Sequence, residues 1–245
     1  MKCLILAAGY ATRLYPLTEN FPKPLLEVGG KTILDWLVDD IAESGLCDGF
    51  VVISNHKFSH HFETWAAGKN LPITILDDGT ESNETRLGAV RDVELAINTL
   101  SLDEELLVIA GDNVLSFSLG CFIKYAMEKG ESAIMRYFEP DFKKLLKCGV
   151  VTVDGCDRVT KMTEKSQTPE TNWCCPPFYY YSRSAARMVG EAIADGCGVD
   201  APGSFIAWLA ERQPVYAMEM PGVRFDVGNL ESYEKIRKEY SGYVK

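Results

Sequence analysis

Short apolar runs at residues 3–8, 49–54, 73–76 and 106–110 alternate with amphipathic segments, and this alternation constrains the fold more than any other feature of the sequence. Each run is brief and rich in aliphatic or β-branched residues, the pattern of a buried strand. Residues 32–44 read as a helix: Ile33, Leu37 and Ile41 share one face, and Thr32 and Asp35 suit its start. Residues 58–67 and 87–97 are the next two helices. Strand–helix–strand repetition predicts right-handed crossovers and a parallel sheet covered on both faces. The expected fold class is α/β, a doubly wound, mostly parallel, Rossmann-like sheet.

The second half changes character. Residues 150–153, then Asp154-Gly155, then residues 158–163 predict a hairpin, because Asp-Gly suits a type I′ turn. A tyrosine-rich strand at 178–181 leads into a helix at 183–194. A helix at 202–212 carries Pro202 in its first turn, followed by a strand at 215–220 and a terminal helix at 230–240. These elements predict an antiparallel lobe inserted into the doubly wound core. With no linker, low-complexity tract or internal repeat, residues 1–245 read as a single domain. The absence of hexapeptide repeats argues against a fused β-helix.

Composition narrows the function classes. With 245 residues and 47% hydrophobic content, the chain can bury a sizeable core. A formal charge of −10 argues against a nucleic-acid binder, which needs a basic footprint. It leaves room for a local Arg and Lys cluster that binds one nucleotide. The N-terminal apolar run is too short for a signal peptide and ends in a polar, charged turn. No stretch is long enough to span a membrane. Cys3, Cys47, Cys121, Cys148, Cys156, Cys174, Cys175 and Cys197 form no Cys-x-x-Cys pair, and His56, His60 and His61 lie far from them. That spacing argues against zinc and for buried, reduced thiols, hence a cytoplasmic protein.

The first strand runs directly into Gly9-Tyr10-Ala11-Thr12-Arg13-Leu14, then Pro16-Leu17-Thr18 and Pro22-Lys23-Pro24-Leu25. A tight loop there lies at the carboxyl edge of a doubly wound sheet, where ligands bind. Its backbone N–H groups can cradle phosphates. As a dinucleotide fingerprint it fails, lacking two of three glycines. Arg13 and Lys23, flanked by rigidifying prolines, suit a polyphosphate clamp of a planar fork and a point charge.

The run from Leu6-Ala7-Ala8-Gly9 to Thr18, followed by Pro22-Lys23-Pro24-Leu25, resembles the signature of the sugar-1-phosphate nucleotidyltransferase family, in a short form without a C-terminal β-helix domain. Gly111-Asp112-Asn113 resembles the family's magnesium position. Gly149-Val150-Val151 and Glu164-Lys165 resemble its sugar-contacting segments, and Phe225-Asp226-Val227-Gly228 its second aspartate. The resemblance implies catalytic roles for Arg13 and Lys23 and nucleotide contacts from Leu6, Ala7, Ala8, Gly9, Ala11, Thr12, Arg13 and Gly88. It implies acceptor contacts from Gly149, Glu164 and Lys165, and Mg²⁺ on Asp112 and Asp226. Residues 1–130 then form the nucleotide-binding half and 131–245 the acceptor-binding half with its closing helices. Family members often assemble, which makes a homo-oligomer an expectation too.

The implied reaction joins a nucleoside triphosphate to a phosphorylated small molecule and releases pyrophosphate, with no nucleic-acid or membrane partner. A phosphate monoester acceptor is largely dianionic near neutral pH and needs no general base. Three departures from the family pattern bear on the acceptor: Ala11 replaces a loop glycine, Ser166 an expected proline, and Pro176-Pro177 a Thr-Gly turn. Two alternatives stay open. One is a cytidylyltransferase acting on phosphocholine or inositol phosphate, for which Trp173, Tyr179, Tyr180 and Tyr181 would supply an aromatic cage. The other is a catalytically silent nucleotide-binding regulator.

Overall fold

The structure is a computed structural model that describes residues 1–240 and 242. In chain order, β1 (Lys2–Leu6) leads through short 3₁₀ turns at Thr12–Leu14 and Lys23–Leu25 to β2 (Glu27–Val28), β3 (Lys31–Thr32) and α1 (Ile33–Ser44). Then come β4 (Gly49–Ser54), α2 (Ser59–Ala67), β5 (Ile73–Asp77), α3 (Ala89–Leu100), β6 (Leu106–Ala110), β7 (Asn113–Leu115), α4 (Gly120–Lys129) and β8 (Ser132–Phe138). They are followed by α5 (Phe142–Leu145), β9 (Gly149–Val153), β10 (Val159–Glu164), β11 (Trp173–Cys175) and β12 (Phe178–Tyr181). The last elements are α6 (Arg183–Ala186), α7 (Val189–Ala194), α8 (Gly203–Ala210), β13 (Val215–Glu219), β14 (Arg224–Asp226) and α9 (Leu230–Glu239). No described helix is long and apolar enough to cross a membrane.

These elements form two compact units that are discontinuous in sequence: residues 1–86, 110–120 and 221–245, and residues 87–109 and 121–220. The first holds parallel pairs, β1 with β4 (Leu4 opposite Val51) and β4 with β5 (Val52 opposite Ile75). All of β4 is buried, which explains its unbroken apolar run. Helix α1 starts as its sequence predicts, with Thr32 and Asp35 closing a reciprocal capping box. Asp35 also accepts from the Trp65 indole at 2.8 Å, tying α1 to α2. One core cluster matters for the site: Leu14, Val28, Ile33, Val114, Val227, Tyr233 and Ile236 pack together. Leu14 and Val227 adjoin Arg13 and Asp226, and Val114 lies two residues after Asp112, so this packing fixes their backbones. Each such side chain contributes about 1.5–3 kcal/mol when fully buried.

The second unit carries mostly antiparallel pairing. β9 pairs with β10 and β11, β11 and β12 pair with β8, and β12 pairs with β6, while β13 joins β8 in parallel. Helix α8 buries Phe205, Ile206 and Leu209. Two local expectations are corrected here. The β9–β10 connection is not a two-residue type I′ turn on Asp154-Gly155. Val153 pairs with Val159, and the left-handed residue is Asp157 (φ 63°). Asp154 explains the longer loop: its carboxylate accepts the N–H groups of Cys156 and Arg158. The helix expected at 183–194 is broken into α6 and α7, because Met188 N–H turns back to Ala185 C=O in a tighter i→i−3 bond.

Candidate active site

At the end of β1 the chain is pinned before it turns. Ala7 N–H donates to Ile53 C=O at 2.8 Å, and the Asn55 amide donates to Ala8 C=O at 2.9 Å. Leu6, Ala7 and Ala8 are thereby held against β4. The N–H groups of Gly9, Tyr10 and Ala11 then donate to no described residue. A Cβ built at Gly9 meets nothing within 4 Å, so this exposed turn is open to a ligand. Ala11 sits in the left-handed region (φ 47°, ψ 41°), the conformation that its replacement of a glycine put in question. That costs an alanine about 1–2 kcal/mol. Leu14 N–H and the Thr18 hydroxyl both donate to Ala11 C=O, at 2.9 and 2.8 Å, and hold it there. Thr12 and Arg13 are exposed, and the Arg13 guanidinium has no partner among the described residues.

Lys23 is nearly buried, at 7% exposure, and a buried ammonium requires anionic partners. Its Nζ lies 2.7 Å from Asp112 Oδ2 and 3.7 Å from Asp226 Oδ1. Strand pairing explains the convergence: Asp226 sits opposite Asn113 on β14 and β7, and Asp112 precedes Asn113. Asn113 donates to Asp112 Oδ1 at 2.7 Å and accepts from the Arg224 guanidinium at 2.7 Å. Burial pushes the Asp112 carboxyl up, but the charges of Lys23 and Arg224 outweigh it and hold the group below the usual carboxylate range. Gly111 lets this corner press on β1, since a Cβ there would lie 3.0 Å from Ile5 Cγ2. Asp112 and Asp226, both drawn to the Lys23 ammonium, are hard oxygen donors that could hold a metal ion with phosphate oxygens completing its shell. Among the described residues, no group of three or more His, Cys, Asp and Glu side chains gathers as a metal cluster.

The remaining candidates belong to the second unit. Glu164 closes β10 and faces Gly149, whose Cβ, were one present, would lie 2.7 Å from Oε1. The carboxylate accepts no hydrogen bond from a described residue. Burial pushes its pKa up to about 6, against the pull of Lys165. Lys165 adopts a left-handed φ of 49°, donates its N–H to Cys148 C=O at 3.0 Å, and holds Nζ 3.6 Å from Asp200 Oδ2. A non-glycine residue in this region is strained, and such strain clusters at functional sites. Gly88 has a φ of 94° that suits glycine alone, and it caps α3.

Leu6 to Arg13, Lys23, Asp112 and Asp226 are thus gathered within the first unit, and Gly149, Glu164 and Lys165 within the second, which also holds Gly88. Sequence reasoning missed Asn113 and Arg224 as orienting groups, Thr18 as the support of Ala11, and Asp200 beside Lys165. Asn113 and Thr18 carried a signal, Asn113 directly after the Gly-Asp pair and Thr18 at the end of the first-loop motif. The cysteines need one correction. Cys3, Cys174 and Cys175 are buried as expected, but Cys121 and Cys156 are exposed, Cys121 on the outer face of α4 and Cys156 in the loop after β9.

Residues 2–242 match the family described as Nucleotidyl transferase. The chain is 30% identical over 250 residues to UTP–glucose-1-phosphate uridylyltransferase AglF of Haloferax volcanii, covering 97% of this chain and 96% of that one. It is 27% identical to the bifunctional protein GlmU of Methanocaldococcus jannaschii, spanning 57% of that longer protein. Among solved structures, UDP-glucose pyrophosphorylase in complex with UDP-glucose superposes with a TM-score of 0.82 at 19% identity, over 98% of this chain and 97% of that one. That likeness carries the fold, the Rossmann-like α/β class expected from the alternating strands and helices.

Proposed function

The chain belongs to the nucleotidyl transferase family, and from that premise we propose that it transfers a nucleoside monophosphate from a nucleoside triphosphate to a sugar 1-phosphate. The products are a nucleoside diphosphate sugar and pyrophosphate. One observation carries the reading: Lys23 draws Asp112 and Asp226 together in the unit that also presents the unpaired N–H groups of residues 9–11 and the unpartnered Arg13.

A phosphate oxygen of the acceptor attacks the α-phosphorus in line, and the bond from that phosphorus to the pyrophosphate oxygen breaks. The electron pair leaves with pyrophosphate, and no proton has to be removed from the dianionic nucleophile. Catalysis therefore consists of positioning and charge stabilisation. The N–H groups of residues 9–11 hold triphosphate oxygens, and Arg13 meets the charge that develops as pyrophosphate departs. Lys23 neutralises charge and keeps the two aspartates oriented. Asp112 and Asp226 would hold Mg²⁺, which supplies Lewis-acid neutralisation of the phosphates when bound. Glu164 accepts sugar hydroxyls, Lys165 pairs with the acceptor phosphate, and Gly149, whose missing Cβ makes room for the Glu164 carboxylate, meets the sugar through its backbone. Gly88 contacts the nucleotide through its backbone. Residues 1–245 act as one nucleotidyltransferase domain in the cytoplasm, a reducing setting suited to a sequence with eight cysteines.

Burial weighs against a choline acceptor. Tyr179, Tyr180 and Tyr181 are 2%, 6% and 1% exposed, and the Trp173 ring already carries the Arg136 guanidinium at 4.7 Å. That leaves no free aromatic cage among the residues that could have formed one.

The test is pyrophosphate release with Mg²⁺, crossing the common nucleoside triphosphates with sugar 1-phosphates, phosphocholine and inositol phosphate. Release with a sugar 1-phosphate, abolished by Asp112→Ala, is the expected outcome. Release only with a non-sugar acceptor keeps the chemistry and refutes the acceptor. Nucleotide binding without release from any acceptor refutes the enzyme reading.

A further inference from the structure

We infer that residues 199–203, which no motif marks, form a strap that positions the acceptor side chains, with Gly203 as its point of contact; the inference rests on the acceptor roles proposed above for Glu164 and Lys165. One end of the strap is clamped to the start of α3. Val199 C=O accepts Val90 N–H at 3.0 Å, and Asp200 C=O accepts Ala89 N–H at 3.5 Å. These are first-turn donors of a helix whose cap, Gly88, has no side chain to satisfy them. The approach is close: a Cβ at Gly88 would lie 2.6 Å from Val199 O.

The middle of the strap reaches Lys165, through Asp200 Oδ2 at 3.6 Å from Nζ. Its far end is Gly203, the first residue of α8. A Cβ built there would overlap Glu164 Oε1 and lie 2.6 Å from Met162 Cε. Gly149 crowds the same oxygen from another direction. The Glu164 carboxylate therefore rests between two positions that must lack a Cβ. Gly203, unlike Gly88, does not adopt a positive φ, so an alanine there meets no backbone strain. What a methyl group would strike is the tip of two flexible side chains. The fold survives and the carboxylate moves. One run of backbone thus sets Glu164 and Lys165 and carries their placement to Gly88.

The experiment is steady-state kinetics of Gly203→Ala with each substrate varied in turn. The expected result is an acceptor KM raised at least about tenfold, with the nucleoside triphosphate KM unchanged. In the Gly203→Ala background, Glu164→Asp should recover part of the loss, because its shorter side chain makes room for the methyl. The same Glu164→Asp change in the parent enzyme should only weaken acceptor binding. Asp200→Asn, an exposed change that spares the fold, should raise the acceptor KM about two- to fivefold. An acceptor KM unmoved by Gly203→Ala, a parallel rise in both KM values, or no recovery with Glu164→Asp overturns the strap. An acceptor KM indifferent to Glu164→Ala instead removes the acceptor reading itself, and the strap with it.

Discussion

Arg13 and Glu164 are charged candidate side chains with neither a hydrogen bond nor an ion pair among the described residues, and they make different demands. Arg13 is exposed, so water can solvate its charge and leaving it unpaired costs the fold little. Arg13→Ala should leave stability within about 0.5 kcal/mol while lowering turnover on the order of 10²–10³-fold, as loss of a transition-state donor does. Unchanged turnover would take Arg13 out of the mechanism. Glu164 is half-buried, and its pKa of about 6 means that the folded protein disfavours the carboxylate. The sign follows from proton binding: between the unfolded carboxyl value and about 6 the folded state binds more protons, so stability falls as pH rises through that window. Glu164→Gln removes the penalty. It should raise the melting temperature at pH 7.5 by the equivalent of about 1–2 kcal/mol, give little gain near pH 4.5, and weaken acceptor binding. A gain that is equal at both pH values would show that the carboxylate is not strained. Stability is the cleaner readout, because a phosphate monoester acceptor itself titrates near pH 6.

At the scale of elements, the parts that start helices do unequal work. The capping box of Thr32 and Asp35 satisfies two donors at the head of α1, and Thr32→Ala should cost about 1 kcal/mol in urea titration. Gly88 at the head of α3 has a harder task. A side chain there meets both a positive φ and a backbone carbonyl. Gly88→Ala should therefore destabilise the second unit by at least about 2 kcal/mol and raise the KM values of both substrates. If the acceptor KM stays put, the strap does not transmit from that end. Element type was legible wherever an apolar run or a capping pattern was strong: the start of α1 and the whole of β4 and β12 follow the sequence expectation. The β9–β10 loop and the α6–α7 break were not legible. Each is settled by carbonyl and carboxylate bonds a few residues apart, for which the local pattern offered an equally good alternative.

For the whole molecule, mass action gives a test that does not depend on turnover. A ligand that binds only the folded state at 100 times its dissociation constant adds about 2.7 kcal/mol of stability. A nucleoside triphosphate should therefore raise the melting temperature, more with Mg²⁺ than with a chelator, and Asp226→Ala should erase the difference. If the chelator makes no difference, the two aspartates do not hold a metal. The sequence by itself determined the family, the alternation of strands and helices, and which residues of the turn after β1 and which two aspartates are the candidates. These follow from local periodicity and from short motifs whose chemistry is carried by adjacent residues. Only the tertiary structure decided that Lys23 joins Asp112 to Asp226, 89 positions separating the first pair. It also decided that Ala11 holds a glycine's conformation with help from Thr18, and that residues 199–203 reach Gly88, Lys165 and Glu164. The first and third rest on close approach between segments far apart in the chain, and the second on a side chain seven residues on that folds back to one carbonyl; a sequence records which groups are available but not which of them packing brings within a few ångströms.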